Sequence, residues 1–350
     1  MKKEDILEEM KTRFKEAEES FSKQRSEADE DFRFYLGEQW TSSEKKDRGR
    51  DGRPCLSFNR LKQPVNQIAA QQQKARPCIN IIAGDNSAND KTANVLQSII
   101  HNAERISDAY NAYDTAFLYA LICGEGYFRI TPKYKNAMTF DQDIYIEPIE
   151  DIFSVYIDPN FGDDLTDINY AFVSTMMPIE EYKETYPDSE ITVSNNFSSY
   201  IDNDWVDEGY IRITEYFRVE YEKKTIVLLD NGITMLKSDY DKIEAEEKPE
   251  VKKSRVETFK TIKWSISNGV EILEDKDFVG DYIPVIPVFA KTVKFKGERF
   301  FDGVIRQSKS SQKQYNYYQN KELEVIAQSP MVPWIVSEGS IEGHEQDWAL

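Results

Sequence analysis

The chain has 350 residues, with 63 acidic against 44 basic side chains for a formal charge of -19, and 40% of its residues are apolar. At roughly 100 to 200 residues per domain this is about two domains' worth, and aromatic residues at 13% exclude a disordered polyelectrolyte, because so many rings must be buried somewhere. No apolar signal core follows Met1-Lys2-Lys3-Glu4-Asp5, the longest uncharged apolar stretch (Thr115 to Gly124) is half of what a bilayer requires, and Cys55, Cys78 and Cys123 lack C-x-x-C spacing, so a folded, soluble chain with reduced thiols is expected, neither secreted nor membrane-spanning nor built on zinc.

Residues 3 to 36 place Ile6, Met10, Phe14, Ala17, Phe21, Ala28, Phe32 and Leu36 mostly at steps of three, four or seven. The spacing predicts one amphipathic helix about 50 Å long, whose narrow apolar stripe suits packing on its own domain or on a neighbouring subunit. The run Lys45-Lys46-Asp47-Arg48-Gly49-Arg50-Asp51-Gly52-Arg53-Pro54 reads as a solvated loop, its cations broken up by glycine and aspartate. A helix is expected from Asn59 to Arg76, with Leu61, Val65, Ile68 and Ala69 on one side; Pro77 stops it, and Cys78 to Ala83 reads as a strand. Val95, Leu96, Ile99, Ile100, Ala103 and Ile106 form one helical stripe and Tyr110, Tyr113, Phe117, Ala120 and Leu121 another. The cap signal Ser107-Asp108 divides them into an αα-hairpin. Gly124-Glu125-Gly126 ends it, and strands follow at 127–131, 143–146 and 152–157.

Between 141 and 210 eighteen acidic residues face the single cation Lys183, so nearly the whole excess charge resides there. At that density like charges must spread over solvent or face a cationic surface, and a solvated acidic face is expected. Residues 210 to 293 alternate with period two, and Asp230-Asn231-Gly232 and Ser267-Asn268-Gly269 mark turns, with Trp264 to Ile272 bracketing a hairpin. An antiparallel β-rich module results, with Asp241 to Arg255 as an exposed tip or loop and Pro284 and Pro287 placing the last strand at an edge. A second long helix is predicted from Phe301 to Gln328, with the stripe Val304, Ser308, Ser311, Tyr315, Tyr318, Glu322 and Val325. So polar a helix does not stay folded alone, so flanking copies of itself or a wet cavity are expected around it.

No P-loop, dinucleotide G-x-G-x-x-G, G-x-S-x-G or H-E-x-x-H occurs, which removes the nucleotide, serine-hydrolase and zincin readings. Asp158 to Asp167 begins like a calcium loop, but its glycine stands fifth and Asn169 occupies the twelfth place, which excludes an EF-hand and leaves a turn as the favoured reading. Affinity for DNA rests on cations that neutralise phosphates, so an acidic chain without a basic face does not grip a duplex, though it can let one pass.

Several segments in joint order resemble the portal, or head-to-tail connector, proteins of tailed bacteriophages, in the short-tailed podovirus-type branch. They are Gly52-Arg53-Pro54-Cys55-Leu56-Ser57-Phe58-Asn59-Arg60-Leu61 with the Gln-rich helix to Arg76-Pro77, and Ala112-Tyr113-Asp114-Thr115-Ala116-Phe117 leading to Gly124-Glu125-Gly126-Tyr127. Further along come Asp158-Pro159 with its acidic turn, Gln312-Lys313-Gln314-Tyr315-Asn316-Tyr317, and Ile341-Glu342-Gly343-His344-Glu345. The resemblance implies a non-enzymatic subunit of a twelve-membered ring at one capsid vertex, built from wing, stem, clip and crown. It also implies that double-stranded DNA passes through the ring without sequence-specific binding. Implied partners are the large terminase, the major capsid or scaffolding protein and tail or head-completion proteins, with assembly in the host bacterial cytoplasm, a final place in the virion, and no cofactor, metal or membrane.

The expected fold is thus α+β and portal-like, with long helices, an αα-hairpin and an antiparallel β-rich module. Its expected parts are 1–57 (N-terminal helix and basic loop), 58–207 (wing-like α+β region), 208–300 (β-rich region with a clip-like part) and 301–350 (stem-like helix and the start of a following segment). Family members run well beyond this length, so the stop at Trp348-Ala349-Leu350 points to a truncated chain. Gln307, Lys309, Gln312, Lys313, Tyr315 and Tyr318 are the candidates for facing the channel or an adjacent subunit. Two readings from other classes stand beside this one: a metal-dependent carboxylate nuclease built on Asp158, Asp163, Asp164 and Asp167, and an acidic adaptor that oligomerises through residues 3–36.

Overall fold

A computed structural model describes residues 3–76, 78–84, 89–162, 165–187, 189, 206–207, 209–230, 232–242, 249–296 and 298–328. Helix α1 (Lys3–Leu36) is the single long helix that its periodicity predicts. Ile6, Met10, Phe14 and Ala17 pack on Tyr170, Phe172, Tyr216 and Ile272, while Ala28 and Phe34 enter the main core, so the stripe is laid on its own chain. A 3.6-residue turn drifts against a seven-residue repeat, so by the last turn Phe34 faces inward and Leu36 is left 69% exposed.

The basic run corrects the sequence reading. Thr41 caps a helix, α2 (Ser42–Arg50), through a capping box: its Oγ1 accepts the Glu44 amide at 3.3 Å while the Glu44 carboxylate accepts the Thr41 amide at 2.7 Å. Helix α3 (Lys62–Lys74) buries Val65 as expected. Residues 78–83 run extended without joining a strand, because Gln97 of α4 (Asp90–Ile106) takes the partner's place, donating from Nε2 to the Ile79 carbonyl and accepting the Ile81 amide at Oε1.

Asp108, at φ 49°, turns α4 into α5 (Ala109–Cys123). Of the expected stripe on α5, Ala120 and Leu121 are buried, Tyr113 and Phe117 are half-buried against the core and Tyr110 is exposed, while Ala109, Ala112 and Ala116 complete the buried face. Backbone approaches this helix closely from two sides: a methyl group on Gly126 of the following strand would lie 2.0 Å from the Ala116 carbonyl oxygen, and one on Gly303, just ahead of the last helix, 2.3 Å from that of Ile122. Strand β1 (Glu125–Tyr134) pairs with β2 (Gln142–Pro148), and a 3-10 turn over Ile152–Ser154, capped by Asp151, replaces the first half of the next expected strand, leaving β3 (Val155–Ile157).

The β-rich module is antiparallel, as predicted. After β4 (Tyr170–Pro178), α6 (Ile179–Thr185) and β5 (Val206–Asp207) come β6 (Tyr210–Leu229), β7 (Thr234–Leu236), α7 (Lys237–Tyr240), β8 (Val251–Ser267) and β9 (Ile272–Phe278). They form a sheet of order β3-β4-β6-β8-β9, with β5 and β7 on β6. Val251 to Arg255, expected in an exposed insert, belong to β8, with Arg255 opposite Ile226; 243–248 lie outside the described residues. The turn signal at Ser267-Asn268-Gly269 does close the β8–β9 hairpin, Asn268 Oδ1 accepting the amides of Val270 and Glu271. Strand β10 (Val285–Phe289) pairs with β1 at the edge of the three-stranded sheet, with Pro287 opposite Tyr127, where the missing N–H does no harm.

Hairpin β11 (Lys291–Phe295) and β12 (Glu298–Asp302) delivers the chain to α8 (Val304–Gln328). This helix starts three residues later than predicted because Phe301 belongs to β12, stacked at 4.1 Å on Phe289 and at 6.5 Å on Phe161. The architecture is α+β, with the main core between α1, α3, α5, the start of α8 and the three sheets.

Candidate assembly surfaces

The long polar helix finds its partner within its own chain. The buried row of α8 is Ile305, Gln312, Asn316, Asn320 and Glu324, one face round from the expected stripe. Against it runs the extended segment 54–60. Asn320 accepts the Leu56 amide and donates to the Leu56 carbonyl, both at 2.8 Å; Asn316 accepts the Phe58 amide at 3.0 Å; Gln312 donates to the Phe58 carbonyl at 2.8 Å and accepts the Arg60 amide at 3.3 Å. Four helical residues rise about 6.0 Å and two extended residues about 6.6 Å, so side-chain amides at every fourth position meet backbone groups at every second. The mismatch accumulates toward Arg60, where the longer reach of glutamine replaces that of asparagine. One step beyond, Glu324 pairs at 2.6 Å with Arg48, which also donates to the Pro54 carbonyl. Gln39 closes the inner side, accepting from Asn316 at 2.6 Å and from Gln312 at 3.2 Å. Neither flanking copies nor a wet cavity are needed to satisfy this row.

The first turns of α8 are fixed by charge. Arg306 reaches Asp31 at 2.9 Å and Glu27 at 2.8 Å, and Lys309 reaches Asp31 at 2.7 Å and Glu30 at 3.2 Å. Burial pushes the Asp31 carboxyl upward, opposed by Lys309 and Arg306. Of the candidate residues, then, Lys309 lies in this cluster and Gln312 in the amide row, while Tyr315 is half-buried and accepts Arg60 at its hydroxyl. Gln307, Lys313 and Tyr318 are exposed, with the Lys313 ammonium 5.9 Å over the Phe34 ring. The sequence reading missed Asn316, Asn320 and Glu324; their four-residue spacing from Gln312, read together with an extended segment, was the available signal.

The turn from Asp158 is structural in its described parts. Asp158 accepts the Asn160 amide at 2.9 Å and both nitrogens of Asn169, and Asp167 accepts the Gly162 amide at 2.7 Å. Arg299 lies 4.4 Å over Phe161. Asp163 and Asp164 lie outside the described residues, and among those described no three His, Cys, Asp or Glu side chains are grouped as a metal site requires. Nor is any described helix long and apolar enough to cross a membrane.

Apolar surface is left open elsewhere. On α4 the predicted stripe exists but faces outward, with Val95 58%, Leu96 47% and Ile99 55% exposed. Toward the end of α8, Tyr317, Tyr318, Val325 and Ile326 are likewise exposed.

A profile of the phage P22-like portal protein family matches residues 11–350. The portal protein of Acyrthosiphon pisum secondary endosymbiont phage 1 is 27% identical over 310 residues, covering 85% of this chain and 43% of that protein, so the chain spans less than half the length of this relative.

Proposed function

Since the chain belongs to the phage P22-like portal protein family, we propose that it forms part of a portal subunit and acts without catalysis. The observation that carries the reading is the combination of a rigidly mounted α8 with outward apolar faces on α4 and on the end of α8. A long helix whose inner row is saturated presents its other rows to neighbours at a fixed angle, as repeated copies around an axis require. On this reading twelve copies close a ring at one capsid vertex, α8 is the stem-like helix, and Gln307, Lys313 and Tyr318 face the channel or an adjacent copy. The parts 1–57, 58–207, 208–300 and 301–350 take the roles of N-terminal helix, wing, β-rich clip-bearing region and stem. Double-stranded DNA passes through, with the large terminase, capsid or scaffolding protein and tail or head-completion proteins as partners. Assembly takes place in the host cytoplasm. A charge of -19 on the chain as a whole works against a tight hold on phosphates. Mass photometry and electron microscopy of a full-length version test the reading: closed rings are expected, and a persistent monomer at high concentration overturns it.

A further inference from the structure

The two longest strands outrun their sheet. β6 and β8 pair without a gap from Thr214 opposite Ser267 to Leu228 opposite Lys253. β4 accompanies β6 only as far as Arg218, and β9 accompanies β8 only from Ile262 onward. Past that level the two strands form a ribbon on their own, joined by β7 only at Ile226 to Leu228. Among the described residues each strand therefore keeps one edge without a ladder partner, 220–225 on β6 and 251–261 on β8. The Thr166–Asn169 loop covers the root, where the Asn169 carbonyl accepts the Val219 amide and the Thr166 carbonyl accepts Lys260 Nζ. Above the root every residue from Val251 to Thr258 is exposed, as are Tyr221, Glu222 and Lys223. A two-stranded ribbon is at best marginally stable in water and is steadied by further strands or a packed face. Neither glycine nor proline interrupts 251–261, and the one register shift lies at the far end, at Leu228/Leu229, so neither proline nor a bulge nor shortness blunts this edge. Only the charges of Lys252, Lys253 and Arg255 guard it against indiscriminate pairing.

Whatever pairs with these edges must itself reach past the ends of β4 and β9, and the same ribbon of a second copy does so by identity. Because β6 and β8 are each other's neighbours, their open edges face opposite ways, so one ribbon can be flanked on both sides at once. Pairing β8 with β8 would set Lys252, Lys253 and Arg255 against their own counterparts, and like charges across a strand pair are destabilising. The β6 edge balances Glu220 and Glu222 with Lys223 and Lys224 and brings no net charge. The contact is then head-to-tail, the kind that closes into a ring when the rotation permits. We propose that the 251–258 edge of β8 in one copy adds to the 220–225 edge of β6 in the next through backbone hydrogen bonds; the inference deepens the ring reading and rests on it. Copies related by one rotation axis point their ribbons the same way, so β8 runs antiparallel to β6 of the next copy as it does to its own.

Hydrogen exchange and disulfide trapping in a full-length version test the contact. On assembly the outward amides of 251–258, every second residue, are expected to slow by ~10-fold or more relative to the dilute monomer, while their neighbours, already bonded to β6, stay slow in both states. Tyr221 and Lys223 of β6 and Ser254 and Val256 of β8 lie on one face of the ribbon, and all four are exposed. In a Cys78→Ser background, which removes the exposed native thiol, one chain carries Tyr221→Cys or Lys223→Cys and the other Ser254→Cys or Val256→Cys, with folding checked by thermal unfolding. Oxidation of one of these mixtures is expected to give a covalent heterodimer that neither of its variants gives alone. Rings that form while no mixture gives a trapped heterodimer and the 251–258 amides stay fast overturn this contact and leave the ring reading standing. Absence of rings at high concentration overturns both together.

Discussion

Replacing Asn320 with leucine tests whether side-chain amides hold segment 54–60 on α8. Asn320 is fully buried and makes two hydrogen bonds of 2.8 Å with the Leu56 backbone. Each such bond contributes about 0.5–1.5 kcal/mol net, and a leucine also leaves the Leu56 N–H and C=O facing an apolar side chain, which costs about 1–3 kcal/mol. The expected loss in urea unfolding is therefore about 3 kcal/mol. Asn320→Asp separates hydrogen bonding from packing. Its carboxylate still accepts the Leu56 amide but turns an anionic oxygen toward the Leu56 and Asn316 carbonyls, to which the native Nδ2 donates at 2.8 Å. Burial and those carbonyls raise the introduced carboxyl above its unfolded value of ~3.9, so the variant lies closest to wild type in acid and loses stability as pH rises through the raised value. Hydrogen exchange supplies the local readout: the amides of Leu56, Phe58 and Arg60 should exchange slowly, and Leu56 should speed up most in Asn320→Leu. An unchanged Leu56 rate, with an unfolding free energy within about 0.5 kcal/mol of wild type, would refute the reasoning.

Other expectations follow from the packing and charge already described. Gly126→Ala places a methyl 2.0 Å from the Ala116 carbonyl oxygen, where backbone must part, so calorimetry should show a loss of about 3 kcal/mol or more; an unchanged melting temperature contradicts the close approach of α5 and β1. Asp31→Ala strips the buried partner from both Arg306 and Lys309, and a loss of about 3–5 kcal/mol in denaturant titration is expected for breaking such a cluster. Burial works to raise the Asp275 carboxyl, but the Ser265 hydrogen bond and the buried Arg218 outweigh it and hold it below the usual range. That stabilisation is present above the unfolded value of ~3.9 and is lost as pH falls through the lowered folded value, so Asp275→Asn should flatten the acid limb of the stability curve there. Thiol labelling of the native chain should modify exposed Cys78 and spare Cys123, whose thiol burial pushes up to about 12.

What could be read in the sequence was what depends on neighbours along the chain. The period of Ile6, Met10, Phe14 and Ala17 announced α1, the alternation from Ile211 to Leu228 announced β6, and Ser267-Asn268-Gly269 announced its turn, because each of these signals is local. Thr41-Ser42-Ser43-Glu44 was equally local and its helix was still missed, since the cations after it drew the reading toward a loop.

Residues 54 to 60 and 312 to 324 are separated by some 250 positions, and nothing in either segment alone says that amides at every fourth place on a helix will serve as the missing strand for a chain alternating every two. The outward turn of the α4 stripe and the close approach of α5 to the following strand were likewise settled only when the sheets came together. Periodicity fixes which residues share a face, but which face is covered depends on the shape of what approaches it, and that is a property of the folded whole.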